Sequence, residues 1–139
     1  MAFDPTSRGR TTAPAIVTAG TSLNSPRRGE FWTAYTPGQP DDPHQPRPVL
    51  VMSEDVRNRL RDDVIVVPAF SGGRLGPTRV PVPAKSGGLP HDSVLFCEEV
   101  TTIDKEFLQR GPLGPRVEPG TVAAVVRAVR RAIGELVPS

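Results

Sequence analysis

Four side chains in this sequence have types and places suited to handling a phosphate or a proton. Arg47 opens the apolar run Pro48-Val49-Leu50-Val51-Met52 directly after the loop Thr36 to Pro46. A guanidinium fork at such a strand end can grip a phosphate through two parallel hydrogen bonds, or it can pair with Asp41 or Asp42. Ser71 closes the run that begins at Val64 and precedes Gly72-Gly73, where a strand opens into a turn and backbone N–H groups can also meet an anion. A turn serine capping the Gly-Gly loop fits the same position. Glu98 can act as a base near neutral pH only if burial or a neighbour such as Glu99 raises its pKa. The two carboxylates are adjacent and diverge on a strand, so a solvated acidic strand end is the alternative. His44 lies three residues before Arg47 and can shuttle a proton at about pH 6 to 7, although a lone loop histidine is usually inert.

Other patterns are less informative. The turn Ser71-Gly72-Gly73-Arg74-Leu75-Gly76 lacks the Lys-Ser/Thr of a nucleotide-binding loop. It reads as a hairpin loop whose Arg74 can touch a nucleic-acid backbone. Cys97 is a single cysteine with no histidine near it in sequence, so it reads as a small buried apolar residue rather than a nucleophile. With one Cys and only His44 and His91 beside it, neither a disulfide nor a structural zinc site is expected. Trp32 and Tyr35 can stack on bases, but a first-strand tryptophan in a small barrel more often belongs to a core or a dimer interface.

The chain that must position these groups has 139 residues, with 17 Pro and 13 Gly, a content that excludes a long-helix protein. Its 17 basic and 15 acidic residues give a net charge of only +2, too little for a large footprint on duplex nucleic acid. Nearly all the bases are arginine, the fork suited to phosphate and carboxylate, a bias that a GC-rich genome would also produce. Residues 1–26 are mostly Thr, Ser, Ala, Gly and Pro and cannot bury enough surface to offset their ordering entropy, so a disordered extension is expected. Ala13-Pro14 and Gly20 break any amphipathic targeting helix there, and no run suits a membrane span or a secretory signal. The expected compartment is the cytoplasm, and residues 27–139 form the expected folded domain.

Within that domain, short apolar runs separated by Pro/Gly turns predict a small, mainly β fold. Strands are expected at Glu30 to Tyr35, Pro48 to Met52, Val64 to Val67, Thr78 to Pro83 at an edge because of its prolines, and Ser93 to Cys97, with Glu98 to Thr102 continuing or bending away. Ser53 followed by Glu54 and Asp55 predicts a capped helix to about Arg61, and Asp104 a capped turn through Gln109. Val122, Val125, Val126, Val129, Ile133, Leu136 and Val137 recur at helical spacing, with Arg127, Arg130 and Arg131 on the other face.

Five blocks in order, Arg28-Gly29-Glu30-Phe31-Trp32, Arg47-Pro48-Val49-Leu50-Val51, Val66-Val67-Pro68-Ala69-Phe70-Ser71-Gly72-Gly73, Asp92-Ser93-Val94-Leu95 and Thr102-Ile103-Asp104-Lys105, resemble the MazF/PemK/Kid family of toxin endoribonucleases. The resemblance covers roughly residues 27 to 137. It implies an SH3-like barrel of about five to seven strands with short helices and a C-terminal α-helix. It also implies a homodimer that cleaves single-stranded RNA without a cofactor or metal and is held in check by a cognate antitoxin. Arg47 then matches the family's catalytic arginine and Glu98 a proposed base of the Kid branch. Aligned on Pro68, Ser71 matches the second of two family hydroxyls, while Phe70 stands where the first is usual and Phe96 where the Kid branch has arginine. Residues placed against RNA on this reading are Trp32, His44, Phe70, Gly72, Arg74 and Arg79. Two other functions stay open: a gyrase-binding toxin of the same fold, and a non-cleaving RNA- or antitoxin-binding module.

Overall fold

Val64-Ile65-Val66-Val67 is β-branched at every position, a run that packs well on a pleated surface, and it lies within the longest strand among the described residues. The computed structural model describes residues 25–36 and 45–136. In it the chain runs β1 (Phe31–Ala34), β2 (Arg47–Val51), α1 (Asp55–Leu60), β3 (Asp63–Phe70), β4 (Arg79–Val82), β5 (Ser93–Phe96), β6 (Thr101–Asp104), β7 (Leu108–Arg110) and α2 (Pro119–Ala132). Short 3₁₀ turns lie at Ser86–Gly88, Cys97–Glu99 and Lys105–Phe107. The strands are ordered β4-β5-β3-β2-β1-β7 with β6 also on β3, and every pairing is antiparallel. This is the mainly β architecture with a C-terminal helix that the sequence predicts.

Alternation along the strands divides the interior into two clusters. Phe31, Leu50, Val67, Ala69 and Leu95 face α2 and pack with its Val125 and Ala128. Trp32, Val49, Val51, Val64, Val66 and Ile103 line the opposite face. Burial of each such Val, Leu or Phe contributes about 1.5–3 kcal/mol, so these two layers carry the stability of the fold. Cys97 is fully buried in the first layer, and desolvation followed by the nearby Glu98 charge pushes its thiol up to about 12, leaving it an inert core residue. β4 stands at the sheet edge with Pro81 exposed, as its prolines require.

Several sequence expectations are corrected. Of the expected extension, Ser25 and Pro26 lie within the described residues, and Pro26 is buried against the fold. Glu54, not Ser53, takes the helix-cap position of α1, and it makes no side-chain cap bond. Ser53 instead accepts from the Ile65 N–H at 2.9 Å and donates to Asn58 Oδ1 at 2.5 Å, serving the β3 connection rather than the helix. The turn expected through Gln109 is a 3₁₀ turn ending at Phe107, followed by β7, and Cys97 leaves β5 for a 3₁₀ turn. The valine stripe of α2 stops at Ala132 because Gly134, at φ +104°, ends the helix in the left-handed conformation. Ile133 and Leu136 are consequently 75% and 96% exposed, and Val137 lies outside the described residues.

Asn58 is a buried polar hub in α1. Fully buried, it donates from Nδ2 to the carbonyls of Pro26 at 3.0 Å and Ser53 at 2.9 Å, tying the start of the folded chain to α1. Asn58→Ala removes one side chain and strands two buried carbonyls. The expected loss is about 2–3 kcal/mol, read as a lower urea midpoint with an unchanged slope.

Candidate active site

On the face away from α2, strand register sets up one row of large side chains. Arg79 in β4 lies directly across from Phe96 in β5. β5 and β3 pair Phe70 with Val94 and Ala69 with Leu95, so Phe70 and Phe96 are diagonal neighbours on the same face. β2 and β3 pair Val49 with Pro68, and continuing that register two residues brings Arg47 across from Phe70.

The side chains close this row into a stack. The Arg47 Cζ stands 4.0 Å from the centre of the Phe70 ring, the Phe70 and Phe96 ring centres are 4.2 Å apart and tilted by 35°, and the Arg79 Cζ stands 3.6 Å from the centre of Phe96. Two groups of this bulk at such distances cannot share one ring face, so each phenyl ring has an arginine on one side and the other ring on its second. Arg47 is only 5% exposed and donates from Nη1 to the Ala69 carbonyl at 3.2 Å. Such cation–ring contacts contribute about 0.5–2 kcal/mol each, and the ring pair about 0.5–1.5 kcal/mol.

At the outer end, Arg79 grips Glu98 with Nε at 2.9 Å and Nη2 at 2.5 Å, and Nη1 reaches the Arg74 carbonyl at 3.0 Å. Thr78 donates a further hydrogen bond to Glu98 at 3.0 Å. The Arg79 fork, above all, holds the Glu98 carboxyl below the usual carboxylate range, with the Thr78 hydroxyl adding to the effect. Gly73 lets the loop pass over this assembly: at φ +134°, a Cβ there would lie 2.6 Å from the Phe96 ring.

The sequence-derived candidates divide accordingly. Arg47, Phe70, Arg79 and Glu98 come together. Ser71, Gly72 and Arg74 lie beside them in the exposed loop after β3. Glu98 does not meet the condition for a base, since its carboxyl is stabilised in the charged form. Phe70 and Arg79 are spent on internal partners, so neither offers a free ring face or an uncommitted fork to a nucleotide. Trp32 is 8% exposed, packs in the second core layer and donates from Nε1 to Glu30 at 3.1 Å, which removes it from the surface. A Cβ at Gly72 would meet nothing within 4 Å, whereas Gly73, which sequence reasoning passed over, carries the steric constraint. His44 lies outside the described residues. Among the described residues, no three His, Cys, Asp or Glu side chains converge on a metal position, and no helix is long and apolar enough to cross a membrane.

Residues 27–133 match the family described as PemK-like, MazF-like toxin of type II toxin-antitoxin system. The chain is 39% identical over 64 residues to Endoribonuclease EndoA of Bacillus subtilis (strain 168), a match covering 45% of this chain and 55% of that protein. The chain thus spans about half the length of this curated relative. Among solved structures it resembles an endoribonuclease in complex with its cognate antitoxin from Mycobacterial species, with 26% identity, a TM-score of 0.64, and coverage of 81% of this chain and 99% of that one. MazF from Deinococcus radiodurans, 21% identical with a TM-score of 0.67 over 80% of this chain and 98% of that one, shares the fold.

The Arg79–Glu98 pair has a defined pH signature. A depressed folded-state pKa stabilises the protein above the unfolded value, about 4.5, and that contribution disappears as pH falls through the depressed value. Glu98→Gln is therefore expected to unfold slightly more easily than the parent protein at pH 7, read as a lower urea midpoint, because solvent screening keeps such a pair weak. The two denaturation curves should converge below pH 4.5.

Proposed function

The chain belongs to the PemK-like, MazF-like toxins of type II toxin-antitoxin systems, and from that premise we propose that it is an endoribonuclease that cleaves single-stranded RNA at specific sequences, without a metal ion, to arrest translation and growth. The observation that carries this reading is a buried guanidinium, Arg47, held at the end of β2 against Phe70, the last residue of β3, with the exposed Ser71 to Gly76 loop following directly.

Cleavage of this kind transfers the phosphate to the adjoining 2′-oxygen. The 2′-hydroxyl attacks phosphorus and loses its proton to a base, the bond to the 5′-oxygen breaks, and that oxygen takes up a proton. The products are a 2′,3′-cyclic phosphate and a 5′-hydroxyl. Negative charge builds on the phosphate oxygens in the transition state, and a preorganised cation in a site poor in water stabilises it most effectively. On this reading Arg47 has that role, and Ser71, which follows Phe70 in the chain, is the hydroxyl that would donate to a phosphate oxygen. Arginine stays protonated at every working pH, so Arg47 serves as an electrostatic group and not as the base.

The partners on this reading are the RNA substrate, a second copy of the chain, and a cognate antitoxin whose acidic-apolar segment folds onto the toxin. The mycobacterial relative solved with its antitoxin supports the last of these. A cytoplasmic location follows from the same assignment.

The test is incubation with a long mixed-sequence single-stranded RNA in EDTA, with the fragment ends mapped. Discrete cuts bearing 5′-hydroxyl ends are expected. Arg47→Ala should lower the rate by at least about 100-fold with the assembly state unchanged by light scattering, and Arg47→Lys, which keeps the charge but loses the planar fork, should also be impaired. RNA left intact across all short sequence contexts would return the gyrase-binding or non-cleaving reading.

A further inference from the structure

We propose that Arg79 and Phe96 are positioning residues that fix the guanidinium of Arg47 through the ring of Phe70, with Glu98 as the clamp that holds Arg79 in place. The inference rests on the endoribonuclease reading for its kinetic consequence, while the physical coupling stands on the geometry alone.

Each member of the row has one strong restraint and hands it to the next. Glu98 takes two N–H groups of Arg79, at 2.9 and 2.5 Å, and a third N–H of the same guanidinium is held by the Arg74 carbonyl. With all three nitrogens engaged, the plane of Arg79 is fixed, and it lies 3.6 Å from the centre of Phe96. Phe96 then backs Phe70, and Phe70 supports Arg47 on its other face. The Ala69 carbonyl restrains one end of the Arg47 fork, while the ring sets the plane in which the fork lies. A displaced reacting group can cost about 100-fold in rate, so loss of the backing ring or of the clamped arginine should act on the chemical step. The Arg79 fork is committed to Glu98 and the Arg74 carbonyl, and the Phe96 ring to Arg79 and Phe70, which separates this role from substrate binding.

The stack also accounts for two residues at odds with the family pattern. Phe70 and Phe96 stand where the resemblance implies a hydroxyl and an arginine. Here they form the inner pair of the row, and their ring faces lie between the two guanidinium groups.

The experiment has a kinetic and a spectroscopic arm. A short oligonucleotide spanning the first cut mapped in the mixed-sequence RNA is cleaved by the full chain and by Arg79→Gln, Phe96→Leu and Phe96→Tyr, with folding checked by thermal denaturation. Arg79→Gln and Phe96→Leu should lower kcat about 10- to 100-fold with KM changed less than about threefold, and Phe96→Tyr, which keeps the ring, should recover most of the rate. In an Arg47→Lys background, Phe96→Leu should have little further effect, because an ammonium has no plane to orient. Folded variants with unchanged kcat, a loss confined to KM, or losses that multiply with Arg47→Lys would overturn the proposal and leave the nuclease assignment intact. The Arg47 Nε–H resonance should show ring-current shielding that Phe96→Leu and Arg79→Gln relax. If the parent protein cuts no RNA, the nuclease reading fails and this resonance alone decides: shielding that persists in both variants would overturn the coupling, and its loss would establish it.

Discussion

The strand β3 constrains everything else in the molecule. Its first half pairs with β6, its last two residues pair with β5, and its other edge pairs with β2. A one-residue slip on any of these edges would turn a core face outward, and the valines alternating into both layers prevent it. Because β3 is held in register by three partner strands, its final residue, Phe70, is fixed against β5 and stands two residues beyond the Pro68–Val49 pair with β2. That rigidity allows a side chain at the very end of the strand to serve as a reference point for Arg47.

The energies separate fold from site. Among the described residues, ten fully buried Val, Leu and Phe side chains at about 1.5–3 kcal/mol each outweigh the stack by a wide margin. The two cation–ring contacts and the ring pair therefore contribute little to whether the chain folds. They decide how a charge is oriented once it has. A buried guanidinium is costly to desolvate, and the Phe70 ring face and the Ala69 carbonyl offset part of that cost for Arg47. Arginine tolerates this better than lysine, since its delocalised charge is weakly hydrated. A cation already stripped of water is also the kind that interacts most strongly with charge developing beside it.

Much of the fold is legible in the sequence because its signals are local. The β-branched run of β3, the prolines of β4 and the valine spacing of α2 each announce their element over a few residues. The sequence pattern places the end of α2 too late because apolar spacing continues through Ile133 and Leu136, while Gly134, the residue that terminates the helix, is a single letter against that pattern. Ser53 looks like a cap, but Asn58 and the Ile65 amide compete for its hydroxyl, and that competition is tertiary. At the site, Arg47 can be singled out from its own position in the sequence. The stack cannot, because Arg79 and Phe96 meet only after a ten-residue connection between β4 and β5 has fixed their register.

Glu98 shows why the residue types of a site do not determine its chemistry. In sequence it is a carboxylate directly after the expected strand Ser93 to Cys97, adjacent to a second carboxylate, and a like charge so close favours proton retention and a usable base. In the structure the nearest groups are the forked guanidinium of Arg79 and the hydroxyl of Thr78, and both stabilise the ionised form. Its carboxyl is consequently a weak base and a strong ligand. The same pairing occupies Arg79, a partly exposed edge-strand arginine whose fork would otherwise be available to a phosphate. One ion pair thus removes two residues from direct chemistry and converts them into the fixed end of the row that terminates at Arg47. On the proposed nuclease reading, the proton transfers fall to groups other than these two, with Arg47 supplying charge and its neighbours supplying geometry.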